Sequence, residues 1–468
     1  MAPPDWETVV ENLEELSGQI PWLERFRVQY YLDCNFQVPG AGLPRYLLLC
    51  ASGLAYHLTI LLLSLFRVQK ESPLGLNGLV FLLDTNRTYL STLLPIIRQA
   101  RHQGLDVTIV TRRGHRATLA GEEELDGLPM VHFEDLVRGG GCRKRFLALP
   151  RALAGAARDV MLWLRSGFAG AWVTVARFSS FALTSRCYSG AVSEALGGGC
   201  VLVAANDHNM WESLLFAATR SQRRSFIVQH GVLAPFAYPM IADTCLVWGE
   251  RHREVLVGEM GAPQDAVRVA GAPCFDDLSA EAMMRERVPR DTICFLSQFH
   301  GAPLMGYHAY QEAVEMFCRL AEGNRGRGWR FVIRLHPRDD RESLRIFQER
   351  YREAVASTDE DLLTLMDRAL LTVLVDSTAL FESVLMGVPV VQLKPEGLRR
   401  FADFSGDGLS FLCRSTRDLE MLFGELMADG ARYSDALEAM GRSVDLYLAN
   451  AGNAARAALQ ILTERVHG

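Results

Sequence analysis

Short aliphatic runs recur along this chain, each ending in polar residues and each followed by a stretch with helical spacing. That alternation limits the fold more than any other feature. Residues 79–83 run into Asp84-Thr85-Asn86, a helical stretch follows, and a second aliphatic run occupies 105–111. Residues 130–133, 200–207, 225–231 and 242–249 continue the series, with a helical segment rich in Ala, Leu and Arg at 146–184. Near-continuous apolar runs of this length are strands buried on both faces, and helical crossovers between them require a parallel sheet. The expected fold class is α/β.

A polar, proline-containing segment at 271–291 interrupts the series, which resumes with TICFLSQ (292–298) and RFVIRLHP (330–337). In VLVDSTALFESVLMGVPVVQL (373–393) a strand leads into a helix at 379–386, Gly387-Val388-Pro389 stops it, and 390–393 return to a strand. A chain of 468 residues exceeds what one core fills. Two Rossmann-like domains are therefore expected, residues 1–275 and 276–468, facing each other across a cleft at the carboxyl ends of their strands. The last helical stretch, 433–464, is expected to pack back on the first domain.

Composition narrows the function classes. With 49% hydrophobic and 22% charged residues the chain is ordinary globular protein, and a formal charge of -6 argues against a general nucleic-acid binder. Ten cysteines without a C-x-x-C pair point to reduced thiols and a cytoplasmic setting. The acidic start, MAPPDWETVVENLEEL, is neither a secretory nor a transit signal. Residues 46–66, YLLLCASGLAYHLTILLLSLF, read either as a buried core helix or as a membrane-embedded one. Arg151, Arg158 and Arg165 recur every seven residues behind Arg143-Lys144-Arg145, a stripe suited to a charged acceptor or to peripheral contact with the inner face of the cytoplasmic membrane.

Four strand ends carry the chemistry: Asn206-Asp207-His208, Gln229-His230-Gly231, His336-Pro337 and Asp376-Ser377-Thr378. The last lies at a helix N-terminus, where free N–H groups and the helix dipole attract anions. Asp359-Glu360-Asp361 superficially offers the D-x-D of metal-dependent transferases, but fits the acidic first turn of a helix capped by Ser357, Thr358 or Asp359, so no metal is expected. Neither a G-x-x-x-x-G-K-[ST] loop nor an H-E-x-x-H pair occurs.

DEDLLTLMDRALLTVLVDSTALFESVLMGVPVV, with RLHP and FIVQHG upstream, resembles the GT-B glycosyltransferases that build bacterial surface polysaccharides. The likeness is to the sialyl-, polysialyl- and Kdo-transferases that use CMP-sugars and carry His-Pro and Ser-Ser or Ser-Thr motifs. The teichoic-acid glycerophosphotransferases, which use CDP-glycerol, are similar too. Motif coverage is 225–393, roughly a third of the chain. The resemblance implies that His336 contacts the donor phosphate, that Ser377 and Thr378 bind phosphate, and that Glu382 accepts hydrogen bonds from ribose hydroxyls. Through the matching His-Gly pair of the teichoic-acid transferases it implies His230 as general base; by their own position at the preceding strand end, Asp207 and His208 could replace or orient it, and Asp207 could serve as nucleophile in a retaining mechanism. It further implies a nucleotide-activated donor as substrate, a glycan or glycolipid acceptor in capsule or lipopolysaccharide synthesis, and no separate cofactor. The chain lacks an aromatic between Asp376 and Ser377 and has Thr378 where a second Ser is commoner. Three alternatives stay open: a CDP-glycerol-type transferase, a nucleotide-sugar 2-epimerase, whose usual Gly pair is replaced by Thr378-Ala379, and a non-catalytic envelope-assembly scaffold.

Overall fold

The computed structural model describes residues 76–137, 142–165, 199–219, 224–234, 237–282, 290–339, 341–399 and 402–464, with isolated positions between 9 and 26 and between 178 and 196. The apolar stretch at 46–66 lies outside the described residues. Among the described residues no helix is long and apolar enough to cross a membrane. Six described cysteines are unpaired, five of them buried.

Among the described residues thirteen strands form two sheets, and every strand pair is parallel. The first sheet contains β1 (Gly78–Leu82), β2 (Val107–Thr111), β3 (Met130–His132), β4 (Cys200–Ala204), β5 (Ser225–Val228), β6 (Thr244–Val247) and β7 (Val267–Val269), in the order β3-β2-β1-β4-β5-β6-β7. The second contains β8 (Thr292–Leu296), β9 (Arg330–Arg334), β10 (Val355–Thr358), β11 (Ala369–Leu374), β12 (Val390–Leu393) and β13 (Phe411–Cys413), in the order β10-β9-β8-β11-β12-β13. Each sheet is wound outward from its first strand and then reversed, which opens a crevice between β1 and β4 and another between β8 and β11. The central strands are buried on both faces, as their unbroken aliphatic runs require: Val80, Phe81, Val201, Val203, Ile293, Phe295, Val373 and Leu374 are 0% exposed.

Three edge strands escape the sequence pattern. β7, β10 and β13 are three or four residues long and only partly buried, so VRV, VAST and FLC carry no long apolar run. The D-x-D-like segment also differs in detail. Asp361 is the N-cap of the helix Leu362–Arg368, accepting from the N–H of Leu363 and Thr364, because β10 extends through Thr358 and leaves the turn to start later. Asp359 pairs with Arg341, and Glu360 with Arg368.

The expected C-terminal helix is two helices, Gly430–Tyr447 and Ala454–Glu464. Asn450 and Gly452, at φ 54° and 75°, break it. The break lets the chain change cores. Met440, Val444 and Tyr447 join Phe381, Phe404 and Trp248, whereas Ala455, Ala458, Leu459 and Leu462 join the core beneath the helix Arg87–His102. Asp276 fastens the second helix from outside its own segment, accepting from the backbone N–H of Ala454 and of Ala455, both at 2.8 Å. A guanidinium–carboxylate pair, Arg251–Asp407 at 3.0 Å, ties the residues after β6 to those before β13.

Gly271 shows how tightly this crossing is built. At φ 98° it lies in a region side chains avoid, and a Cβ would stand 2.3 Å from the carbonyl oxygen of Ala449. Gly271→Ala is therefore expected to lose about 2–4 kcal/mol of stability, read as a lower midpoint in denaturant unfolding. A midpoint within error of wild type would mean that the crossing is looser than described.

Candidate functional site

The polar residues beyond β1, β4 and β5 form one connected group. Asn86 caps the helix Arg87–His102, and Tyr89 in its first turn accepts a hydrogen bond from the amide of Asn206, beyond β4, at 3.2 Å. Asn206 also accepts from the N–H of His208 at 2.7 Å. Asp207 is 3% exposed and both of its oxygens are engaged, one by the backbone N–H of Ile241 and the other by His208 Nδ1 at 2.8 Å. Burial works to raise its pKa, but the His208 bond and the backbone N–H groups outweigh that and hold it below the usual carboxylate range.

His230 stands beside this group, its ring edge-on to Tyr89 at 4.5 Å between centroids. Its Nδ1 lies 2.6 Å from the carbonyl oxygen of Ala205. A carbonyl only accepts, so the proton belongs on Nδ1 and Nε2 keeps a free lone pair. Burial pushes the imidazole down to about 4, and His208 and Arg338 add to the shift, so His230 is neutral at physiological pH. Gln229 does not share the site. Its side chain accepts from the N–H of Trp248 and donates to the carbonyl of Gly231, which makes it an internal brace.

On the second sheet Asp339 joins two strand ends. It accepts from the backbone N–H and Nδ1 of His300, beyond β8, both at 2.9 Å, and from the backbone N–H of His336, beyond β9, at 3.1 Å. The His300 and His336 rings stack at 4.1 Å. His336 Nδ1 accepts from the backbone N–H of Arg338 at 3.1 Å, which assigns its proton to Nε2. Burial, with His300 beside it, lowers His336 to about 4. His300, His336 and Asp339 bring three donor atoms within 4.8 Å, a spacing a metal ion could use, but the Asp339 oxygens already accept from His300 and His336.

Beyond β11, Asp376 is 6% exposed, Ser377 and Thr378 are partly exposed, and the hydroxyl of Ser377 accepts from the N–H of Ala379 at 3.3 Å. Glu382 follows in the first turn of the helix Ala379–Leu385. One of its oxygens is buried without a hydrogen-bond partner, and burial raises the carboxyl to about 7 despite Arg334 nearby.

The two sets of strand ends meet. A Cβ on Gly231 would stand 3.6 Å from Thr378 Cγ2, so the residue after His230 lies against the Ser377-Thr378 step. The exposed guanidinium of Arg338 acts electrostatically on Tyr89 and His230 in the first sheet and on His336 in its own. His230, Asp207 and His208 thus gather on one side, and His336, Pro337, Asp376, Ser377, Thr378 and Glu382 on the other.

No protein-family model matches the chain, and no curated protein is recognisably similar to it in sequence. Solved structures are similar in shape. A UDP-GlcNAc 2-epimerase from Neisseria meningitidis, bound to UDP-GlcNAc, has 13% identity and a TM-score of 0.50, covering 82% of this chain and 99% of its own. A UDP-N-acetylglucosamine 2-epimerase from Rickettsia bellii has 11% identity and a TM-score of 0.51, covering 84% and 98%. A glycosyltransferase from Rickettsia africae has 10% identity and a TM-score of 0.49, covering 83% and 98%. The fold is GT-B. At such identities the likeness is one of architecture, two doubly wound α/β domains that present their strand ends to each other.

Sequence reading missed Tyr89, Glu212, His300, Arg338 and Asp339 in this GT-B site. Glu212 lies in the first turn of the helix Met210–Thr219, where an acid looks like an ordinary surface residue. It is 2% exposed, held by the Asn209 amide at 3.0 Å, and its other oxygen has no partner. Burial, reinforced by Asp84 and Asp207, raises it to about 8. An unfolded Glu titrates near 4.5, so protonation favours the folded chain. That stability is fully present below pH 4.5 and is lost as pH rises through about 8. Glu212→Gln cannot ionise and is expected to melt higher than wild type at about pH 9 but with little difference at about pH 5, by differential scanning calorimetry. A difference that does not grow with pH would contradict the buried, protonated carboxyl.

Proposed function

We propose that the chain is a nucleotide-sugar-dependent glycosyltransferase in which the second domain holds the donor and the first activates the acceptor. The observation that supports this reading best is the opposite protonation of two histidines beside the meeting point of the domains. His230 Nδ1–H donates a hydrogen bond to a carbonyl, which leaves Nε2 as a base, whereas His336 Nδ1 accepts one from a backbone N–H, which leaves Nε2–H as a donor. A transfer reaction needs this pairing.

In the proposed mechanism the acceptor hydroxyl gives its proton to His230 Nε2 as its oxygen bonds to the anomeric carbon. The bond from that carbon to the donor phosphate breaks, and the phosphate leaves with the electron pair. His336 Nε2–H, the hydroxyls of Ser377 and Thr378, and the guanidinium of Arg338 stabilise the charge that develops. Glu382, raised to about 7 by burial, accepts hydrogen bonds from the ribose hydroxyls through a carboxyl oxygen in either protonation state. Asp207, both of its oxygens already engaged, orients His208 and the turn rather than acting as base or nucleophile. No metal or cofactor is assigned a role. The motif resemblance favours a CMP-linked donor and a glycan or glycolipid of the bacterial surface as acceptor. Nucleotide-sugar 2-epimerase is the second reading, because the named Neisseria and Rickettsia bellii structures with this fold are described as epimerases.

The assignment of base and donor pocket separates in kinetics. His230→Ala is expected to lower kcat about 10²- to 10⁴-fold with nucleotide affinity unchanged. His336→Ala is expected to weaken calorimetric binding of CMP, CDP or UDP by about 1.5–3 kcal/mol. Near-normal turnover in the first variant, or unchanged affinity for every nucleotide in the second, would sink the respective role. The acid limb of kcat/KM in wild type is expected near pH 4 rather than near 6.5, because His230 stays neutral down to about 4. An acid limb at the ordinary imidazole value would remove His230 as the base.

A further inference from the structure

The helix Cys142–Arg165 has a face that the proposed chemistry does not use. Leu153, Met161 and Leu164 are 42%, 48% and 41% exposed, three of the large apolar residues most open to solvent among those described. Taken at 3.6 residues per turn, these three and Ala157 lie within an arc of about 80°, and Arg151, Arg158 and Arg165 lie within an adjoining arc of about 40°. All three arginines are exposed. The helix has one acid, Asp159, which is turned inward at 0% exposure and neutralised by both ends of the Arg186 guanidinium at 2.9 Å. Trp163 and Ala156 complete the buried side. Among the described residues of this helix, the outer face therefore presents apolar side chains beside a cationic stripe, and the helix places no acid there.

From this we infer that the outer face of Cys142–Arg165 docks on an anionic lipid surface, with Leu153, Met161 and Leu164 entering the headgroup boundary and Arg151, Arg158 and Arg165 contacting lipid phosphates. A second copy of the chain fits less well. A two-fold contact sets the same patch on both subunits, so arginine would face arginine with no acid to pair it. A nucleic acid would engage the arginines and leave the apolar stripe in water. A bilayer surface satisfies both halves of the face at once.

The full chain is sedimented with vesicles of phosphatidylcholine alone and with vesicles of equal parts phosphatidylcholine and phosphatidylglycerol. Wild type is expected to pellet only with the anionic vesicles and to be released as salt is raised, because the arginine contribution is screened. Replacing Arg151, Arg158 and Arg165 together by Glu is expected to lower the partition coefficient on the order of 100-fold. Replacing Leu153, Met161 and Leu164 together by Gln is expected to lower it about tenfold or more at low salt, since each removes several buried methylene equivalents. The salt dependence of wild type stands without either variant, and unchanged thermal melts show that both still fold. No binding by wild type, or equal binding by both folded variants, overturns the proposal. So does a wild-type dimer that the Gln variant converts to monomer without vesicle binding, which would assign the face to a second copy.

Discussion

Gly231 lies against Thr378, and the site depends on that approach. Each sheet ends in a crevice at its own reversal point, between β1 and β4 or between β8 and β11, and one crevice alone holds half of the chemistry. On the first side are a neutral base and a buried acid. On the second are hydroxyls, a histidine donor and a free helix start. That approach, so close that a Cβ on Gly231 would stand 3.6 Å from Thr378 Cγ2, sets the halves against each other with only a glycine between His230 and the proposed phosphate step. Arg338 spans the same gap electrostatically, which is why its charge is felt by Tyr89 and His230 as well as by His336.

The site is held at some cost to stability. Glu212 and Glu382 each keep a buried oxygen without a partner, a feature that costs about 1–3 kcal/mol per group in an ordinary core. Both carboxyls respond by rising to about 8 and about 7. The histidines respond in the opposite direction to the same burial, because their charged form is the protonated one. One dry environment thus favours the uncharged form of acids and bases alike. Asp207 and Asp339 remain ionised within it because several N–H groups are aimed at each.

The strands that set the architecture were legible because they are buried on both faces: runs such as CVLVA and TICFL have no other use in a globular chain. Edge strands such as β10 were not, since VAST buries one residue of four. The strand-end residues His230, His336 and Ser377 were legible by position. Their partners were not, because they come from elsewhere in the chain: Tyr89 reaches Asn206 across 117 residues, and His300 reaches Asp339 across 39. The tautomer of each histidine rests on a single backbone group, the carbonyl of Ala205 or the N–H of Arg338, and no spacing rule encodes that. Gln229 looked like a site residue by the same positional logic and is instead the brace of Trp248.

Transfer and epimerisation on this fold differ in what happens to the sugar's own C–H bond. A transferase moves the sugar at its anomeric carbon and leaves every C–H bond intact, whereas a 2-epimerase must break and remake the bond at C2. The purified chain, incubated in D₂O with CMP-, UDP- and GDP-sugars and with total bacterial glycolipid as acceptor, would be followed by proton NMR and mass spectrometry of the products. With His230 and His336 acting as proposed, acceptor-dependent release of free nucleotide and a transferred sugar without deuterium are expected. Acceptor-independent loss of the C2 proton signal, with a C2-inverted and deuterated nucleotide-sugar, would contradict those roles.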